Sequence, residues 1–195
     1  ISGLFLLIFL FVHLTVNATS LFGPEAFEAA CEFMALPVVT ILVPVLAAGF
    51  IVHIAYATWI TLVNLKARGS QRYEVTHKGE ADSWAAKTRL DLGIIILGLL
   101  VFHLSHFWAE MQLKDFMGEE PTDPNFLMSQ TFGNTAVLVA YIMWFAALWF
   151  HLTHGFWSAL QSIGFNNDKW LYRLKVVAYI VATIICAGFV VIAIY

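Results

Sequence analysis

Six of the seven histidines lie inside strongly apolar stretches: His13, His53, the close pair His103 and His106, and the close pair His151 and His154. The last two belong to the run W-F-H-L-T-H-G-F-W-S, Trp149 to Ser158, around which the chain is organised. An imidazole held in a bilayer is costly, so histidines there are candidates for function. Their ring nitrogens can relay protons or bind a metal. Four separate apolar segments each offering one imidazole suit the axial ligation of haem iron. No CxxC or CxxCH occurs, so neither a zinc site nor covalent haem attachment is expected. The residue pattern therefore points to a membrane cytochrome with two b-type haems.

The elements that must carry these residues are legible from composition. The chain has 195 residues, 61% hydrophobic and 12% charged, against about 25% charged in soluble domains. Five apolar segments emerge: Gly3 to Ala18, Pro37 to Leu65, Leu90 to Ala109, Thr135 to Ile163 and Val176 to Tyr195. In lipid such segments must be helices, because every backbone group needs an internal partner. The expected fold is an all-α membrane protein with five transmembrane helices, the first four forming a haem-binding four-helix bundle. Residues 1–195 read as one integral-membrane domain, and a cytoplasmic stretch is expected to precede Ile1. Pro44, inside the second segment, is expected to kink that helix. Cys31 and Cys186 belong at different depths and are not expected to pair.

Orientation follows from Lys and Arg. The connection Thr19 to Leu36 holds only acidic charge, whereas Lys66 to Arg89 carries Lys66, Arg68, Arg72, Lys78, Lys87 and Arg89. The next connection has Lys114 alone, and the last has Lys169, Arg173 and Lys175. This alternation places the N-terminus and both basic connections in the cytoplasm, where they are available to dock a partner. No basic patch with interleaved aromatics supports nucleic-acid binding.

Depth then pairs the histidines. Each lies beyond the centre of its segment in the direction of travel, so His13 and His103 fall in the outer half and His53 and His154 in the inner half. The two levels lie roughly 10–14 Å apart at 1.5 Å per residue. His103 and His154 are taken as ligands over His106 and His151; His106 is left to meet a haem propionate or a quinone, and His77 is an ordinary surface residue. Gly3 precedes His13 by ten residues, as Gly93 precedes His103, which gives G-x9-H-L twice and leaves room for a porphyrin face one level away. Ser2, Lys87 and Arg89 are the available partners for inner haem propionates. The competing readings are a bundle whose histidines merely bond between helices, and a transporter with a His proton relay.

The S-G-L-F-L-L-I-F-L-F-V-H-L run, His53, the third-helix L-G-x9-H-L and the fourth-helix H-G together resemble the di-haem cytochrome b subunits of succinate:quinone oxidoreductases of the b558 type. The resemblance spans essentially the whole chain. It implies a membrane anchor that passes electrons between an iron–sulfur subunit and a quinone, menaquinone or ubiquinone. FAD and iron–sulfur clusters would lie on a flavoprotein and an iron–sulfur partner, and the complex would sit in a bacterial or archaeal cytoplasmic membrane. It pairs His53 with His154 and His13 with His103. It also implies a quinone-side acidic residue before the second helix, for which Glu28 is the match. The Glu that some fumarate reductases carry two residues before the fourth His is Leu152 here. The alternative is the cytochrome b subunit of a hydrogenase or formate dehydrogenase.

Overall fold

The computed structural model describes residues 1–68, 88–165 and 167–195. Five helices are long and apolar enough to cross a membrane, as the hydropathy pattern requires, and no strand occurs among the described residues. Helix α1 runs Ser2–Ala18, followed by a 3-10 turn, Thr19–Phe22. Gly23, at φ 112°, reverses the chain in a backbone region few other residues adopt. Pro24 then opens α2, Pro24–Ala35, at the position where a missing N–H costs nothing.

The second span divides in two: a short turn, α3 (Pro37–Thr40), then α4 (Leu42–Arg68). Ile41 between them keeps helical angles, φ −57° and ψ −26°, so Pro37–Asn64 remains one span that is interrupted where Pro44 has no N–H to offer the Thr40 carbonyl.

The third span begins as α5, Arg89–His103, and widens into a π-helical stretch, Leu104–Leu113, before α6, Lys114–Phe116. It therefore extends beyond the expected end at Ala109. Lys114 Nζ bonds Glu110 Oε2 at 2.6 Å and Thr122 Oγ1 at 2.9 Å, so the charges of this last part satisfy one another. Helix α7, Pro124–Phe132, is capped by Asp123, whose Oδ1 accepts from Phe126 N at 2.7 Å.

Asn134 Oδ1 accepts from Ala136 N and Val137 N to start α8, Thr135–Gln161. Asn167 does the same for α9, Asp168–Ile194, through Trp170 N. With that cap the fifth helix begins well before Val176, so Lys169, Arg173 and Lys175 stand on its first turns and not in a connection. Arg173 covers the Trp170 ring at 5.5 Å and Lys175 covers Trp157 at 5.1 Å.

Helices α8 and α9 pack along their length, α1 lies against both, α5 against α8, and α4 leans on α1. The core joins Leu7 of α1, Tyr141, Trp144 and Phe145 of α8, and Ile185, Cys186, Phe189, Ile192 and Ala193 of α9. The fifth helix is thus the most deeply packed of the spans, fully burying Ala178, Ala182 and Ile185. Two glycines permit the closest approaches: the Phe5 ring fills the space beside Gly49, and a Cβ on Gly188 would sit 2.8 Å from Leu14 Cδ1. Outward-facing Ile51, Trp59 and Ile94 present apolar surface, as lipid-facing positions must. Cys31 and Cys186 are both free, as expected from their depths.

Candidate haem sites

The helices bring the six intramembrane histidines into two separate groups. In the first, the His13 and His103 rings lie 5.8 Å apart, centre to centre, with planes at 88°. Phe9 stacks on His13 at 5.3 Å and Phe189 lies 5.7 Å from it, while Phe107 and Trp144 flank His103 at 5.3 and 5.5 Å. In the second, His53 faces His151 at 6.3 Å, with planes at 80°.

The two groups stand at different depths. Ser2 Oγ is 3.4 Å from His53 Nδ1, and a Cβ on Gly3 would meet the His53 ring at 3.7 Å. Gly3 and His13 are ten residues apart on α1, about 15 Å along its axis. On α8, Trp144 marks the His103 level, and His151 lies seven residues, about 10 Å, further on.

If a haem is bound at either level, the facing imidazoles there would be the residues to hold it, His13 with His103 and His53 with His151. Two of the four rings also have a hydroxyl at the other nitrogen: Ser2 for His53, and Tyr141 Oη at 3.4 Å for His103 Nδ1. Asn17 Nδ2, 3.5 Å from His13 Nδ1, can only donate there, and it also donates to the His13 carbonyl at 2.8 Å. An acceptor at Nδ1 fixes the ring and leaves Nε2 to bind metal. Among the described residues the buried Nδ1 atoms of His106 and His151 have no hydrogen-bond partner; in an apolar interior such atoms are candidates for service by a bound group. No group of three or more His, Cys, Asp or Glu that could hold a metal ion occurs among the described residues.

The remaining expected residues fall as follows. His154 lies against Trp157, ring centres 5.1 Å apart, and the ring that faces His53 is His151. His106 packs edge-on against Phe102 at 4.1 Å and beside Tyr141 at 6.3 Å, one level with His103. A Cβ on Gly93 would meet nothing within 4 Å among the described residues, which leaves open the space assigned there. Lys87 and the side chain of Arg89 lie outside the described residues, as does most of the basic connection between α4 and α5. Glu28 is exposed on α2, whose buried residue is its neighbour Phe27. Close to it, burial with the added charges of Asp123 and Glu28 pushes the Cys31 thiol up to about 11. Tyr141 is the residue the sequence reading passed over; its signal was a phenol deep in an apolar span, where the hydroxyl needs a partner.

Five helices long and apolar enough to cross a membrane define a multi-pass membrane protein, with imidazoles facing one another at two depths inside it. The chain is 30% identical over 176 residues to the succinate dehydrogenase cytochrome b558 subunit of Bacillus subtilis (strain 168), a match covering 86% of this chain and 78% of that protein. It belongs to the succinate dehydrogenase cytochrome b558 subunit family. No family model matches the chain, and no solved structure matches it.

Proposed function

We propose that the chain is the membrane-anchor cytochrome b subunit of a succinate dehydrogenase or fumarate reductase, joining an iron–sulfur subunit and a flavoprotein to membrane quinone. The observation that carries this reading is the pair of imidazole couples, His13 with His103 and His53 with His151, at two depths of one bundle. When bound there, two haems b would supply one-electron transfer along the membrane normal. The identity of the Bacillus relative supports succinate chemistry over that of a hydrogenase or formate dehydrogenase.

The chain's own residues do the positioning. His13, His53, His103 and one of His151 and His154 offer the axial nitrogens, and the ring separation favours His151. Ser2 holds His53 at Nδ1, while Gly3 keeps the space beside His53 free of side chain. Ser2 and Arg89 are assigned to inner propionates, and Gly93 to a porphyrin face. Helices α1, α4, α5 and α8 exclude water from both levels. Charge alternation supports a cytoplasmic N-terminus in a bacterial membrane, with the partner subunits on that side and quinone reacting at the opposite end. There Glu28, exposed on α2, is the assigned proton acceptor, and His106 lies within the same end of the bundle.

The test is replacement of each histidine in the assembled complex, read by pyridine haemochrome. Loss of one haem in His13→Ala and in His53→Ala supports the reading. Retention of both haems in either variant would overturn it.

A further inference from the structure

Tyr141 occupies a position that no ligand assignment uses. It is 2% exposed, about two turns from the start of α8, and enclosed by Phe102, Phe132, Trp144 and Phe145 at ring distances of 5.1–6.1 Å. A phenol oxygen can accept a hydrogen bond as well as donate one. That of Tyr141 lies 3.4 Å from His103 Nδ1. We propose that Tyr141 is a positioning residue for the His103 ligand, setting its ring orientation and the donor strength of its Nε2, and so the potential of the outer haem. The proposal rests on the assignment of His103 as an axial ligand.

The chemistry follows from the two ring nitrogens. If Nε2 gives its lone pair to iron, Nδ1 carries the proton and donates it to the Tyr141 oxygen. That bond makes the imidazole a stronger donor, which favours the ferric state and lowers the potential. The neighbouring His106 sharpens the case: its buried Nδ1 has no partner among the described residues although its ring is 6.3 Å from Tyr141, so the hydroxyl serves His103 and not both rings. His53 has Ser2 Oγ at the equivalent nitrogen, a hydroxyl at the start of α1.

Tyr141→Phe keeps the ring and removes the oxygen. In membranes carrying the whole complex, both haems should remain by pyridine haemochrome. One haem should become easier to reduce, by a threefold to tenfold change in its equilibrium, at most about 59 mV for one electron. Its low-spin EPR signal should move, and the other haem should be unchanged. The haem that shifts should be the one lost in His103→Ala. As a second variant, 3-fluorotyrosine at position 141 keeps the packing and weakens the oxygen as an acceptor. It should shift the same haem in the same direction by less, and it serves if the Phe variant fails to assemble. Unchanged potentials and EPR signals in the Phe variant, or in the fluorotyrosine variant where Phe does not assemble, would overturn the proposal. Retention of both haems in His103→Ala would instead overturn the ligand assignment beneath it.

Discussion

Replacing His151 distinguishes the two candidate ligands on α8 and measures the inner site directly. The residues stand three positions apart, about 300° around the helix, so both lie on one broad face and only packing separates them. Packing turns His151 toward His53, at 6.3 Å, and His154 toward Trp157, at 5.1 Å. Each imidazole couple is separate from the other, so losing one inner ligand should empty one site and spare the outer couple. His151→Ala should therefore fall from two haems per chain to one, and the redox titration should lose one of two waves. His154→Ala should keep both haems, since it removes a ring that lies beside Trp157 rather than facing His53. The assay is haem per chain in the purified complex, scaled to subunit protein. Loss of a haem in His154→Ala, with both retained in His151→Ala, would refute the reasoning and assign the inner ligand to His154.

Glu28→Gln should abolish quinone-linked turnover while both haems and dye-linked succinate oxidation persist; unchanged quinone turnover would remove Glu28 from the reaction. The Cys31 thiol, raised from 9.0 to about 11, should be alkylated about 100-fold more slowly at pH 8 than a thiol of ordinary pKa, because the thiolate is the nucleophile. Its rate should climb with pH up to about 11 and rise at fixed pH in Glu28→Gln, whose carboxylate helps hold the proton on. Gly188→Val should lower the thermal midpoint of the solubilised complex by about 2–10 °C, since overpacking costs about 1–3 kcal/mol. There a Cβ would already sit 2.8 Å from Leu14 Cδ1; an unchanged midpoint would show that α1 and α9 separate freely.

The architecture was legible because a bilayer imposes a length and a polarity that a sequence cannot disguise. Each of the five spans announced itself by hydropathy alone. Position along each span also placed His13 beside His103 and put His53 at a second level. What sequence could not reach was rotation. His151 and His154 share a helix face, and only the packing of α8 against α9 and α5 decides which ring meets His53. One local interruption was legible: Pro44 read as a kink, and its missing N–H denies the Thr40 carbonyl its usual partner within the span Pro37–Asn64. The early start of α9 depended on one cap, Asn167, in a stretch whose lysines and arginine suggested a loop. Tyr141 escaped notice because a tyrosine in an apolar run also reads as interfacial or core; its hydroxyl's partner comes from a different helix, 38 positions away in sequence.

The central claim, that this chain is a two-haem anchor of a succinate-linked complex, is tested most directly by one purification. The tagged chain should be isolated from mild detergent, its haem b quantified per chain, and its co-purifying subunits identified. The account predicts two haems b per chain, a flavoprotein and an iron–sulfur protein in equal amounts, and reduction of haem by succinate. A preparation with no haem b, or one whose partners oxidise hydrogen or formate, would contradict it.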